Sequence, residues 1–212
     1  MKVKIINPSV ELLHITENSK KLIELAGRTC YKSEDKITEN SASKFIKMLK
    51  VNGHHSVLEH AYATFRIVTD RGVTHELVRH RLASYSQEST RYVKYDEMQV
   101  INPGFEIGSD DYNNWLNACE ECINTYRNLL KNNSPQIARA ILPTCLKTEI
   151  IMTANFREWM HIIELRSTSA AHPQIRTITK AISNVLHEYV PELFEKFSEK
   201  ELKDVKIYEY SS

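Results

Sequence analysis

Glycine and long apolar runs are scarce in this sequence, and each scarcity excludes a class of protein. Only five of the 212 residues are glycine, and they form no GxGxxG pattern. In a strand–turn–helix unit, that pattern lets the backbone approach the pyrophosphate of a dinucleotide. A bound dinucleotide must therefore be held by another type of site. No apolar run approaches the roughly 20 residues that cross a bilayer, and the start MKVKIINPSVELL lacks the features of a signal peptide. The sequence predicts no membrane partner and a cytoplasmic location.

The chain also lacks an excess of charge of either sign. Its 28 basic and 27 acidic side chains give a net charge of +1, so it has no overall polycationic character of the kind that binds nucleic acid. We therefore expect no nucleic-acid partner, and any functional basic residues must be clustered locally. With 42% hydrophobic content the 212 residues can bury one sizeable core, and we expect a single domain over residues 1–212.

Cysteine is too sparse to complete a zinc site. Cys119 and Cys122 form a CxxC pair, but no second cysteine or histidine pair completes a four-ligand set. Both thiols lie in NNWLNACEECINTYRNLL, whose apolar residues recur at helical spacing, so we expect them to pack as small apolar side chains. Cys145 lies near Pro143 without an evident acid–base pair, and packing is expected there too. The sequence therefore predicts no metal.

Hydrophobic periodicity predicts an α+β fold with a mixed or antiparallel sheet flanked by helices. Alternation and β-branched or aromatic residues favour strands at 2–7, 60–69, 98–101 and 144–155. Helical spacing and breakers favour helices at 19–31, 40–52, 111–132, 135–142, 157–167 and 174–197. A further short helix is expected to carry Arg79, and the polar residues 84–90 are expected to form turns.

Residues 79–91, RHRLASYSQESTR, form the most distinctive segment of the chain. Its three arginines would repel one another unless an anion or acidic partners neutralised them. The apolar Val73, Leu77 and Val78 place these arginines at the end of a partly buried helix, and the hydroxyl and amide side chains that follow offer hydrogen bonds. We therefore expect a phosphate or nucleotide site here. The alternative is a solvated basic helix face, which is the usual outcome for a run of charges.

The spacing of this segment resembles a family signature. Seven residues separate the Arg79-His80-Arg81 triplet from Ser89, as in the flavin-dependent thymidylate synthases. Other segments resemble that family in the same order, namely NGHHSVLEH at 52–60, ARAILP at 138–143 and TANFREWMHIIELR at 153–166. The resemblance extends from about residue 50 to about residue 190. It implies the fold of that family, with FAD bound between the subunits of a homotetramer.

The resemblance also implies an activity, the reductive methylation of dUMP to dTMP. The carbon comes from 5,10-methylenetetrahydrofolate, and the hydride comes from FAD that NADPH has reduced. The implied catalytic residues are Arg166, Ser89 and His54. Arg166 would face the uracil and stabilise the negative charge that develops when the ring is activated.

Binding residues are implied in two sets. The cofactor set is Ser56, Arg79, His80, Arg81, Gln87, Asn155, Arg157 and His161. The substrate set is Glu76, Arg79, Gln87, Glu88, Ser89, Thr90, Arg91, Arg139 and Arg166. Among these, Ser89, Arg91 and Arg139 are suitable phosphate ligands.

Two positions depart from the family pattern. His75-Glu76 stands where many members have Arg-Gln, and the glutamate can accept a hydrogen bond but cannot donate one as glutamine does. After Arg166 the chain runs STSAAHPQIR instead of an AQWEIR-like stretch, which makes Arg176 a second candidate cation ranked below Arg166. Two other function classes stay open. One is a catalytically inactive flavin- or nucleotide-binding module, and the other is an RNA-binding protein that uses RHRLASYSQESTRY as its surface.

Overall fold

The computed structural model describes residues 3–202 and 204–208. In this part of the chain the strands are β1 (Lys4–Ile5), β2 (Ser9–Ile15), β3 (Tyr62–Asp70), β4 (Ala83–Gln87), β5 (Gln99–Val100), β6 (Lys147–Asn155) and β7 (Lys206–Tyr208). The helices are α1 (Ser19–Thr29), α2 (Ser41–Val51), α3 (Arg71–Leu77), α4 (Asp110–Leu130), α5 (Pro135–Ala138), α6 (Phe156–Arg166), α7 (Pro173–Tyr189) and α8 (Glu199–Leu202). Short 3₁₀ turns lie at Glu34–Lys36, His55–His60 and Arg139–Ile141.

A five-stranded mixed sheet with the order β4–β6–β3–β2–β7 forms the centre of the fold. The pairs β4–β6, β6–β3 and β3–β2 are antiparallel, and the pair β2–β7 is parallel. β3 and β6 pair over their full length, from Tyr62 opposite Asn155 to Asp70 opposite Lys147. The expected α+β class, with a mixed sheet flanked by helices, is confirmed.

The main core lies between this sheet and the helices. Trp159 of α6 is fully buried, its indole N–H donates to the Ala63 carbonyl at 3.1 Å, and its ring meets Phe65 edge-on at 5.2 Å. Burial of an aromatic side chain of this size contributes about 3 kcal/mol, so Trp159 fixes α6 on β3. A smaller core cluster joins α4 to the region of β5 through Tyr126 and Val100.

Two strand-to-helix junctions bring the polar residues together. β3 runs directly into α3, where the Asp70 carboxylate accepts from the Val73 N–H at 2.8 Å. β6 runs directly into α6, where the Asn155 side chain accepts from the Glu158 N–H at 2.9 Å. Such caps satisfy backbone donors that have no partner within the helix. Because β3 and β6 are antiparallel, α3 and α6 begin at opposite ends of this strand pair, and their C-terminal ends meet where Arg166 donates to Glu76.

Several predicted boundaries are wrong for identifiable reasons. The predicted strand 2–7 contains only the two-residue β1, its residue 2 lies outside the described residues, and the longer strand β2 follows Pro8. α7 ends at Tyr189 instead of residue 197, because Pro191 disfavours a helical conformation at Val190. Arg79 lies two residues beyond the end of α3.

The predicted turn at 84–90 is also wrong, since most of it is β4. Its polar side chains are compatible with a strand because β4 forms an edge of the sheet, where pairing with β6 overrides local preference. The remaining predicted helices and strands are confirmed to within a few residues. β2, α8 and β7 were not predicted. No helix among residues 3–202 and 204–208 has the length and apolar content that a membrane span requires.

Candidate active site

Arg166, the last residue of α6, connects α6 to the end of α3. Its Nη1 donates to Glu76 Oε2 at 2.9 Å, and its Nε donates to His80 Nε2 at 3.2 Å. A longer contact of 3.5 Å joins Nη2 to the Glu76 carbonyl. The Arg166 side chain keeps 20% of its surface exposed. The structure therefore brings three predicted site residues into direct contact.

His80 is the buried centre of this group. Only 5% of the residue is exposed. Burial, followed by the neighbouring charges of Arg166 and His161, lowers the pKa of His80 to about 4, so the imidazole is neutral near pH 7. Its Nδ1 faces Glu158 Oε1 at 3.6 Å, and its ring meets the ring of His161 edge-on at 5.7 Å. Because the imidazole is neutral, the approach to Glu158 is a polar contact and not an ion pair.

The backbone of this turn is held by a residue that the sequence analysis missed. The Tyr85 hydroxyl lies 2.7 Å from the Leu77 carbonyl oxygen and 2.6 Å from that of His80, and its single proton is shared between the two acceptors. Burial raises the pKa of Tyr85 to about 12, so the phenol keeps its proton. Tyr85 thereby fixes the path of the chain between α3 and β4.

Arg79 and Arg81 flank the buried His80 and point outward. Both residues are exposed. Within the part of the chain that the structure describes, neither guanidinium makes a hydrogen bond or an ion pair. Unpaired arginines on both sides of a buried histidine are suited to an anion supplied from outside the chain.

The end of β4 carries Gln87 and Glu88, both of which already have partners within the chain. The Gln87 amide donates to Thr74 Oγ1 at 2.9 Å and to Thr148 Oγ1 at 3.3 Å. The Glu88 carboxylate accepts from the Tyr95 hydroxyl at 2.6 Å and from Lys147 Nζ at 3.0 Å. Burial and the hydrogen bond to Glu88 raise the pKa of Tyr95. Glu88 is therefore positioned with both oxygens engaged.

The loop after β4 meets the turn that follows α5. Arg139 Nη1 donates to Thr90 Oγ1 at 3.2 Å, and Arg91 Nη2 donates to Gln136 Oε1 at 3.4 Å. The Ser89 hydroxyl accepts from the Arg91 N–H at 3.3 Å. The structure thus gathers the predicted phosphate ligands into one patch. Arg139 comes from a different segment of the chain, so the family resemblance, and not local spacing, indicated this proximity.

The remaining predicted residues lie at the start of α6 and on the turn His55–His60. Arg157 Nη1 donates to Glu59 Oε1 at 2.6 Å, which joins α6 to that turn. Ser56 is exposed on the same turn, and His54 is exposed immediately before it. Asn155 uses its side-chain oxygen as the helix cap, which leaves its amide nitrogen for another partner.

These residues form three neighbouring groups. The first surrounds His80 and Arg166, the second contains Ser89 to Arg91 with Arg139, and the third lies at the start of α6. His161 lies four residues after Arg157, so both side chains occupy the same exposed face of α6 and connect the third group to the first. No hydrogen bond or ion pair among residues 3–202 and 204–208 joins the first group to the second.

Glu158 was not predicted as a site residue, and its position in the sequence explains why. Asn155 and Glu158 stand at the cap and third positions of α6, a pattern that indicates helix capping. The glutamate side chain instead faces His80. Arg176, the second candidate cation, lies on α7 and makes no contact with the Arg166 guanidinium among the described hydrogen bonds.

A cavity of about 410 Å³ opens beside Glu76. Trp115, Cys119 and Cys145 form part of its wall, and its size suits part of a small ligand. A larger cavity of about 660 Å³ lies at the N-terminal ends of α1 and α2 and shares no predicted site residue. Of these two cavities, only the smaller one is lined by a predicted site residue, Glu76. Among residues 3–202 and 204–208, no cluster of three or more histidine, cysteine or acidic side chains could hold a metal ion.

Residues 11–192 match the family model described as thymidylate synthase complementing protein. The flavin-dependent thymidylate synthase of Corynebacterium efficiens is 37% identical, with 86% of this chain and 81% of the relative covered. That of Mycobacterium tuberculosis is 35% identical with the same coverage. The chain belongs to the flavin-dependent thymidylate synthase family. A structure of the UMP/dUMP methylase PolB from Streptomyces cacaoi bound with 5-Br dUMP has the same fold, with 22% identity, a TM-score of 0.77, and 90% of this chain and 95% of that one covered.

Membership confirms the resemblance drawn from the four sequence segments. It confirms the expected enzyme class, a flavin-dependent methyltransferase of dTMP synthesis, and this class implies FAD as cofactor with NADPH and 5,10-methylenetetrahydrofolate as co-substrates. It favours the enzyme over the RNA-binding and inactive alternatives. The roles of the individual residues stay predictions.

Proposed function

We propose that this flavin-dependent thymidylate synthase, as one domain over residues 1–212, methylates dUMP at a site centred on Arg166. The observation that carries the proposal is the placement of this arginine between Glu76 and a neutral His80. A guanidinium has five N–H donors, and the three contacts to Glu76 and His80 leave two of them free. A partly exposed cation with free donors is suited to the anion that develops on an activated uracil.

His80 and Glu76 keep the Arg166 guanidinium in one orientation. His80 accepts from Nε, and Glu76 accepts from Nη1, on two sides of the same planar group. The free donors therefore have a fixed direction before the substrate binds. Preorganised donors of this kind lower the activation free energy of the reaction. In other enzymes, removal of one such donor raises the activation free energy by on the order of 3 kcal/mol.

The dUMP phosphate is proposed to bind to Ser89, Arg91 and Arg139. Arg91 and Arg139 are exposed and spend only one bond each on neutral partners within the chain. Their charges are therefore not compensated by a carboxylate. Thr90 positions Arg139, while Gln87 and Glu88 hold the strand end from which the phosphate ligands extend. Arginines are suited to paired hydrogen bonds with phosphate oxygens.

The described residues fit the FAD that the family uses. Arg79 and Arg81 offer two uncompensated cations for its pyrophosphate, and Ser56, Arg157 and His161 line an adjoining exposed surface with the Asn155 amide. When bound, FAD supplies the hydride that completes the methyl group. His54 is proposed to lie beside the flavin and the folate, and NADPH is proposed as the reductant.

We propose that a homotetramer assembles the complete site. Within the described residues no hydrogen bond or ion pair joins the group around His80 to the group around Arg139, and Arg79 and Arg81 are exposed. Two large apolar side chains in this region are also exposed. Leu82, which follows Arg81, is 73% exposed, and Tyr92, whose ring centre lies 5.5 Å from the Arg91 guanidinium, is 76% exposed. Exposed apolar surface of this kind favours contact with another subunit.

The test is dTMP formation from dUMP, 5,10-methylenetetrahydrofolate and NADPH under low oxygen, with and without added FAD. We expect product that depends on both the flavin and the folate. Bound FAD without any dTMP would contradict the proposal and indicate an inactive flavin-binding protein. Light scattering coupled to size-exclusion chromatography tests the tetramer in the same preparation.

A further inference from the structure

Glu158 carries a buried carboxylate that has no role in the proposed reaction. Only 7% of the residue is exposed. Its backbone N–H donates to the Asn155 cap, but its carboxylate faces His80 instead of returning to the helix start. In the described part of the chain no lysine or arginine forms an ion pair with it. Burying an acidic group without a cation costs free energy, so its retention at this point needs a reason.

The hydrogen bonds of His80 supply that reason. The Arg166 guanidinium has only donors, so the His80 Nε2 that it contacts at 3.2 Å must accept. A neutral imidazole has one donor nitrogen and one acceptor nitrogen. The ring proton is therefore on Nδ1, the nitrogen that faces Glu158 Oε1 at 3.6 Å.

We propose that Glu158 is a positioning residue that holds His80 in its Nδ1–H tautomer and thereby orients Arg166. The inference rests on the proposed function of Arg166. The four side chains form one connected set, in which Glu158 Oε1 lies 3.6 Å from His80 Nδ1, His80 accepts from Arg166, and Arg166 also donates to Glu76. The carboxylate acts through the histidine and the arginine without touching the uracil.

Loss of the carboxylate has a defined consequence. The Nδ1–H would be left without an acceptor in a buried place, which is unfavourable. The ring can then turn about its side-chain bonds or move its proton to Nε2, and in either case Arg166 loses its acceptor. The His80 backbone is not expected to move, because the Tyr85 hydroxyl holds its carbonyl independently.

The test compares three variants. Glu158→Met removes the acceptor at similar volume, Glu158→Gln removes the charge but keeps an accepting oxygen, and Glu164→Ala removes an exposed acid of the same helix as a control. Two readouts are used. Two-bond ¹H–¹⁵N correlation spectra of ¹⁵N-histidine-labelled protein identify the tautomer, with His80 assigned through His80→Gln. Steady-state kinetics give kcat and KM for dUMP.

We expect the wild type to show the proton on Nδ1. Glu158→Met should lose that pattern and lower kcat on the order of tenfold to 100-fold, as for a misplaced catalytic group, with FAD content retained. Glu158→Gln should keep the tautomer and remain within a few-fold of the wild type, and Glu164→Ala should match the wild type.

Wild-type His80 with its proton on Nε2, or a Glu158→Met variant that behaves like Glu164→Ala, would overturn the inference. The wild-type spectrum tests it even if Glu158→Met does not fold. The two proposals fail separately. The expected tautomer without any dTMP formation would contradict only the proposed function, whereas dTMP formation with the other tautomer would contradict only the role of Glu158.

Discussion

Lowering the pH from 7 to 5 should destabilise this protein through His80. The ordinary pKa of a histidine is 6.5, and burial beside Arg166 lowers the folded-state value to about 4. Between these two values the unfolded chain binds a proton that the folded chain excludes. Stability is therefore fully present above pH 6.5 and is lost as the pH falls toward 4.

The size of the effect follows from the difference between the two pKa values. A group with pKa 6.5 unfolded and about 4 folded contributes about 3 kcal/mol in full, of which about 2 kcal/mol disappears between pH 7 and pH 5. The charged and titratable groups that face the ring are Arg166, His161 and Glu158, all from α6. Because other acids also titrate over this range, the wild-type curve alone cannot assign the loss to His80.

The assay is urea unfolding followed by circular dichroism at several pH values, for the wild type and for His80→Gln. Glutamine can still accept from Arg166 but does not titrate. Both proteins are compared at one subunit concentration, because assembly contributes to apparent stability. We expect the free energy of unfolding of the wild type to fall by about 2 kcal/mol more than that of His80→Gln between pH 7 and pH 5. Parallel curves would refute the argument that burial keeps His80 neutral.

Three further outcomes are expected. Arg166→Lys should bind FAD but lose on the order of 100-fold or more in dTMP formation, because one ammonium nitrogen cannot reproduce the planar donors that different guanidinium nitrogens direct to His80, Glu76 and the uracil; near wild-type turnover would remove Arg166 from the chemistry. Arg139→Ala should raise KM for dUMP with little change in kcat, whereas an unchanged KM would separate it from the phosphate site. Oxidation with diamide should join Cys119 and Cys145, whose sulfurs lie 3.6 Å apart, and peptide mass spectrometry of the wild type and Cys119→Ser would show whether it does.

The elements that pack in the core were predictable from the sequence. The segment 60–69 is rich in β-branched and aromatic residues, and β3 lies there with Phe65 and Ile67 fully buried. The edge strand β4 was not predictable in this way, since the alternation in ASYSQ is short and weak, with only Ala83 and Tyr85 packed against the core between polar residues. Its conformation comes from pairing with β6, a partner about 65 residues away along the chain, and local preference does not contain that information.

The site likewise contains some residues that were predictable from the sequence and others that were not. The RHR signature identified the residues that offer charge, because exposed arginines are conspicuous in a sequence. It did not identify what holds them, because the Tyr85 hydroxyl and the Glu158 carboxylate act through contacts that only the folded chain creates. The packing of Cys119 is a further example, since helical spacing predicted its burial but not its contact with Cys145.

The parallel pairing of β7 with β2 determines which strand borders solvent. β2 contains the buried Val10 and Leu12, and without β7 its unpaired N–H and C=O groups would form an open template on which a strand of another molecule could add. β7 is only three residues long and carries Lys206, two features that discourage such addition. The C-terminal strand thus protects the sheet against aggregation, a role separate from anything that the site requires.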